Sequence, residues 1–220
     1  MDHDPALRRP IASRGSGWAR ALAGFLVARR VAPNAISVAS VVFALGTGTA
    51  FVLAGLSAGG GRIAWLVAGA LLVPARLVAN LLDGLVAVEG GLGGKSGEIY
   101  NELPDRLSDS FALLGAGYGA ALGGPAWAAD AGWAAALAAV LTAYVRTLGV
   151  AAGAPADFRG PMAKQQRMVT LAVAALAAAV ETALALPPRI LPAALVGIAA
   201  LALLTAARRA LATVRFLERR

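Results

Sequence analysis

Six apolar runs, each near the length of one bilayer crossing, leave this chain little choice but to fold as a bundle of membrane helices. They fall at roughly Asn34 to Leu56, Ile63 to Val88, Asp105 to Trp127, Gly132 to Val150, Met168 to Leu186 and Ile190 to Ala210. A helix rises about 1.5 Å per residue, so about 20 residues cover the hydrocarbon layer. With 59% hydrophobic and 15% charged residues, the chain lacks the polar cover that a water-soluble domain of its size needs. The expected fold is therefore all-α, an integral membrane six-helix bundle preceded by an amphipathic helix lying in the interface. Residues 1–33 form the tail and interfacial helix, 34–210 the transmembrane domain, and 211–220 a basic tail.

The charges orient the bundle. The linkers around "LSAGGGR", "GGPAWAADAG" and "LPPR" hold little charge, whereas those carrying Lys95 and Arg106, or Arg159, Lys164 and Arg167, are basic. Six arginines from Arg8 to Arg30 precede the first span, and five from Arg208 to Arg220 follow the last. By the positive-inside rule both termini and the basic linkers face the cytoplasm. Topology thus accounts for the net charge of +8, and nucleic acid is not expected as a partner. No cleavable leader pattern is evident. In "GWARALAGFLVARR", Trp18, Leu22, Phe25 and Leu26 share one helical face with Arg20, Arg29 and Arg30 around it, as an interfacial helix requires. The high Ala, Gly and Arg content fits a bacterial inner membrane.

There are no cysteines, and the lone His3 lies in the polar tail, so any chemistry must come from carboxylates, amides, hydroxyls and cations. Half of the 12 acidic residues crowd into Leu81 to Ser110: Asp83, Glu89, Glu98, Glu102, Asp105 and Asp109. Ionisable groups at membrane depth are costly and face a partner, a cavity or a site. Asn80 and Asp83 are three apart, followed on the same side by Gly84 and Ala87, and Asp105 and Asp109 are four apart; each pair shares a helical face. Two antiparallel helices would bring the pairs together near the cytoplasmic surface. Four oxygen donors without His or Cys suit a hard cation, Mg²⁺ or Mn²⁺. The competing reading pairs these acids with Arg106 or Arg76.

Between the two pairs, "EGGLGGKS" looks like a nucleotide-binding loop. Glu89 stands where such a loop needs its first glycine, and no buried strand precedes it. A glycine-rich connection, with Lys95 solvated or touching a phosphate, is the simpler reading.

With "NLLDGLVAV" followed by "NELPDRLSD", the chain resembles the CDP-alcohol phosphotransferase family, whose signature is D-x-x-D-G-x-x-A-R-x8-G-x3-D-x3-D. Asp83, Gly84, Ala87, Asp105 and Asp109 match in identity and local spacing. Asn80 replaces the first Asp, Val88 the Arg and Asn101 the second Gly, and residues 89–100 lengthen the gap to twelve. Asn101 is expected as a helix cap, with Pro104 in the first turn.

The resemblance implies a transferase that moves a phosphatidyl group from CDP-diacylglycerol to a small alcohol, releasing CMP. It makes Asn80, Asp83, Asp105 and Asp109 ligands of Mg²⁺ or Mn²⁺, and Asp109 also the general base. Asp83, Gly84 and Ala87 would lie against the cytidine diphosphate. Arg146 resembles an arginine common in the family; with Lys164 and Arg167 it is a candidate for acceptor or phosphate binding, the alternative being flanking topological charge. Small residues such as "GAGYGAALGG" suit either helix packing or a homodimer. Three other readings stand beside this one: a CDP-alcohol donor with a diacylglycerol acceptor, a cation or small-solute transporter using midplane acids, of which only Glu181 sits deep in the later spans, and an inactive membrane scaffold.

Overall fold

The structure, a computed structural model, describes residues 16–91 and 97–219. Lys95 and the glycine-rich connection around it lie outside the described residues, as do the side chains of Glu89, Glu98 and Asn101. Among the described residues there are seven helices and no strands: α1 (Gly17–Ala28), α2 (Pro33–Leu56), α3 (Gly59–Glu89), α4 (Gly97–Leu122), α5 (Ala128–Ala151), α6 (Lys164–Ala183) and α7 (Ile190–Leu217).

Local chemistry sets several of these boundaries. Pro33 opens α2 at a position where its missing N–H costs nothing, and Ala32 before it is extended, as a residue preceding proline prefers. Between α6 and α7 the double proline in "LPPR" allows no helix to continue. There the Glu181 carboxylate accepts the backbone N–H groups of Arg189 at 2.8 Å and Ile190 at 3.2 Å, satisfying donors at the start of α7. Glu181 thus caps a helix near the end of α6 instead of sitting deep in a span, which removes the residue on which a transporter reading leaned.

Among the described residues five helices, α2, α3, α5, α6 and α7, are long and apolar enough to cross a membrane. The expectation of six such spans is corrected at α4. That helix begins at Gly97, and its first half carries Glu98, Glu102, Asp105, Arg106 and Asp109. For the same reason Asn101 and Pro104 lie inside α4, not at its cap and first turn. Proline there forfeits the hydrogen bond to the Tyr100 carbonyl, a loss tolerable at an exposed residue.

The six long helices close into a ring, α2 on α3, α3 on α6, α6 on α7, α7 on α5, α5 on α4 and α4 back on α2, with α4 also touching α7. The interior is largely alanine, with Phe51, Leu66, Leu113, Met168, Leu171, Leu195 and Ile198 almost fully buried. Leucine and valine are turned outward instead, as at Val42, Leu71, Leu137 and Val173. Such a surface matches hydrocarbon and would be untenable in water.

Small residues let the backbones approach. A Cβ on Gly115 of α4 would fall 2.2 Å from the Cα of Gly48 on α2, and one on Gly119 would fall 2.0 Å from the Phe51 carbonyl oxygen. Gly117 meets Gly132 of α5 in the same way, at 2.7 Å. The glycines of "GAGYGAALGG" are therefore used within the chain, α4 being wedged between α2 and α5. Outside the ring, α1 lays Ala19 and Ala23 against Leu82, Leu85 and Val86 of α3, leaving Trp18, Leu22 and Phe25 exposed on its far side. A helix disposed like this is suited to the lipid interface.

Candidate active site

Short connections make successive helices antiparallel, so the start of α2, the end of α3, the start of α4, the end of α5 and the start of α6 meet at one end of the ring. Asn80 and Asp83 come from α3, and Asp105 and Asp109 from α4. Asp83, Asp105 and Asp109 are all buried. The sequence expectation that both pairs meet is thus realised. The competing reading, with Arg76 and Arg106 paired to these acids, is realised as well, and Lys164 and Arg167 join them.

Asp109 is 1% exposed and is held between two arginines. Its Oδ1 lies 2.6 Å from Nη1 of Arg76, and its Oδ2 accepts Nη2 of Arg167. Both guanidiniums are as buried as the carboxylate they grip. Arg76 also donates Nη2 to the Asp105 carbonyl at 3.2 Å, and Arg167 donates Nη1 to the Met162 carbonyl at 3.2 Å. Asp105 is engaged at both oxygens as well. Its Oδ1 accepts the Asn80 amide at 2.5 Å, while its Oδ2 lies 2.5 Å from Nζ of Lys164 and 3.5 Å from Nη2 of Arg106. Asp83 differs. Its Oδ2 accepts the Ser37 hydroxyl at 2.7 Å, and among the described residues it forms no ion pair.

Arg146, at the end of α5, pairs with Glu102 at 2.5 Å and lies over the Phe158 ring at 5.1 Å. It belongs to the rim of the same cluster, together with the Arg106 and Glu102 pair at 3.4 Å. Arg209 of α7 ties the 152–163 connection down, donating to the Arg159 carbonyl and to the Thr142 carbonyl, each at 2.9 Å. In that connection Asp157 accepts the backbone and side-chain N–H groups of Arg159, which hold its carboxyl below the usual carboxylate range.

The nine residues expected to form the site, Asn80, Asp83, Gly84, Ala87, Asp105, Asp109, Arg146, Lys164 and Arg167, lie at or beside this end of the ring. Gly84 and Ala87 are half-buried on α3 near Asp83. Sequence reasoning underused Arg76, treating it as an alternative ion-pair partner. The signal was present: an arginine inside an apolar span, four residues before Asn80 and hence on the same face. Ser37 gave no signal, because a serine at a helix start is common.

Whether the set fits a divalent ion can be tested on these contacts. Mg²⁺ or Mn²⁺ needs several anionic oxygens turned to one point and free of competing cations. Both oxygens of Asp105 and both of Asp109 are already engaged, and Asn80 presents its N–H side to Asp105 instead of a ligating oxygen. Among the described residues no group of three His, Cys, Asp or Glu side chains is arranged to hold a metal. The buried atoms left without a hydrogen-bond partner are Nε of Arg76, Nε of Arg167, the Ser108 hydroxyl and Asp109 Oδ1; the first two are cationic donors, and the last faces Nη1 of Arg76 at 2.6 Å. As arranged, the residues do not fit a divalent cation. They offer unspent donors to an anion.

Fold and site together define a polytopic helical membrane protein with a buried acid and cation cluster at one end of its ring. No family model matches the sequence, and no curated protein does. Solved structures do share the fold. The phosphatidylinositol phosphate synthase of Mycobacterium tuberculosis with CDP-DAG bound aligns with a TM-score of 0.74 at 21% identity, over 90% of this chain and 94% of that one. The same enzyme in complex with manganese and citrate aligns with a TM-score of 0.69 at 20% identity, over 89% and 88%. Its apo form gives 0.67 at 20% identity, over 88% and 94%. The ring of six long helices is thus the fold of that synthase.

Proposed function

We propose that this chain is a membrane transferase of the CDP-alcohol phosphotransferase type, moving a phosphatidyl group from CDP-diacylglycerol to a small alcohol and releasing CMP. The observation that carries this reading is the convergence of Asn80 and Asp83 with Asp105 and Asp109 at one end of the ring. This is the two-part motif of the resemblance assembled into one cluster, in a fold shared with a synthase whose structure holds CDP-DAG. The end bearing the cluster also carries the basic linkers, so on the positive-inside rule the site and both termini face the cytoplasm. A bacterial inner membrane is the proposed location.

In the transfer, the hydroxyl oxygen of the acceptor attacks the β-phosphorus of the donor, the bond from that phosphorus to the bridging oxygen breaks, and CMP leaves with that oxygen. The hydroxyl proton passes to a carboxylate. Asp109 is the proposed acceptor: the phosphate oxygens of the donor compete for Arg76 and Arg167, and the carboxylate they release is then within the pocket to take the proton. Asp83, held by Ser37 and adjoining Gly84 and Ala87 on α3, borders the strip against which the cytidine would lie. Arg146 and Lys164 flank the cluster, where they would meet the acceptor or its phosphate.

The test is CMP release by the purified protein in lipid nanodiscs containing CDP-diacylglycerol, with a panel of small alcohols. Mass spectrometry of the lipid products names the acceptor. Release is expected with at least one alcohol and is expected to be lost in Asp109→Asn. A folded protein that releases no CMP with any donor and acceptor overturns the reading. Diacylglycerol consumption with a soluble CDP-alcohol would redirect the transfer within the same class.

A further inference from the structure

We propose that side-chain cations replace divalent metal in this chain: Arg76, Lys164 and Arg167 hold the acid cluster closed to Mg²⁺ and Mn²⁺ and themselves neutralise the diphosphate of the donor. The inference rests on the transferase reading for its ligand, and on the cluster alone for its claim about metal.

The charge balance is the first support. Asp83, Asp105 and Asp109 bring three negative charges into the site, and Arg76, Lys164 and Arg167 bring three positive ones, while Arg106 at the rim is shared between Asp105 at 3.5 Å and Glu102 at 3.4 Å. Guanidinium charge is permanent at any physiological pH, so two of these cations cannot be discharged to admit a metal. A divalent ion would therefore enter a site already neutral, and would have to break the pairs on Asp105 and Asp109 to find ligands. Asn80 contributes from the other side of the balance. An aspartate there would face Asp105 across the 2.5 Å now bridged by an amide N–H, adding a fourth negative charge. The neutral amide and the arginine one turn earlier on α3 act in the same direction, each making a metal less needed and less welcome.

The second support is chemical. Besides Asp109 Oδ1, which faces Nη1 of Arg76 at 2.6 Å, the buried atoms the cluster leaves without a hydrogen-bond partner are the Nε–H groups of Arg76 and Arg167 and the Ser108 hydroxyl. Guanidinium N–H groups bind the oxygens of a diphosphate and repel a metal ion. Two guanidiniums and an ammonium within reach of one another can take up the charge that develops on the leaving group, the task a divalent ion performs elsewhere.

Two arms test the proposal. In the first, free Mn²⁺ is titrated against the purified protein in nanodiscs of uncharged lipid and followed by its EPR signal. The wild-type protein is expected to leave the signal undiminished, while Arg76→Ala combined with Asn80→Asp is expected to gain a site that Asp105→Asn abolishes. Stoichiometric Mn²⁺ binding by the wild type, lost in Asp105→Asn, overturns the proposal whether or not the double variant folds. In the second arm, CMP release is measured in EDTA. A rate within about twofold of that with Mn²⁺ supports the proposal, and a tenfold or greater loss that Mn²⁺ restores overturns it. If no CMP appears in either condition, the transferase reading falls and the EPR arm still decides the claim about metal.

Discussion

Arg167→Met isolates the energetic role of the clamp on Asp109. The substitution keeps the unbranched apolar stem but removes the guanidinium that meets Asp109 Oδ2 and that donates to the Met162 carbonyl at 3.2 Å. Stranding one member of a buried ion pair costs about 3–5 kcal/mol, because the remaining charge has lost its counter-ion where water cannot replace it. Asp109 would still keep Arg76 at 2.6 Å, so the loss should fall at the lower end, about 3 kcal/mol or roughly a hundredfold in the ratio of folded to unfolded protein. Reversible unfolding by SDS in mixed micelles, followed by tryptophan fluorescence and circular dichroism, measures it. Adding Asp109→Leu removes the stranded carboxylate, and the double variant should lose less than the sum of the single losses, by about 1–3 kcal/mol. A cost below about 1 kcal/mol for Arg167→Met, or simple additivity in the cycle, would refute the argument that these charges are buried and mutually dependent.

Two further substitutions probe the frame around the site. Gly115→Ala should destabilise the bundle by about 1–3 kcal/mol, because its methyl group meets the Gly48 backbone, whereas Gly197→Ala, with open space around it, should be neutral or slightly stabilising in the same SDS assay. Glu181→Ala should cost about 1–2 kcal/mol by exposing the N–H groups of Arg189 and Ile190, and it should leave CMP release unchanged in the folded fraction, since this cap lies away from the acid cluster.

Much of the fold was legible in the sequence because membrane helices are written in long apolar runs, and a lipid environment permits few other structures. The linkers and helix starts followed from proline and glycine, as at Pro33 and in "LPPR". Where the reading missed, at the start of α4, the reason is that a helix with acids on its inner face is too charged to register as an apolar run. It is nonetheless completed by packing against α2 and α5. The small residues of α4 show the same limit. Their spacing announced close approach, but whether to another helix of this chain or to a second copy depended on Gly48, more than 60 residues earlier in the sequence.

For the candidate site, spacing alone placed Asn80 with Asp83 and Asp105 with Asp109, since residues three or four apart share a helical face whatever the rest of the molecule does. It also brought the two pairs to one end, because a short connection forces consecutive helices to run antiparallel. Which cation answers those acids was a different kind of question. Arg76, Lys164 and Arg167 lie on α3 and α6, and Arg167 stands 58 residues from the carboxylate it grips. Nothing periodic in a sequence encodes a meeting at that separation. The acids themselves were fixed by local pattern; that they are matched by arginine and lysine in place of an open ring of oxygens was decided only when the ring closed and set α6 beside α3.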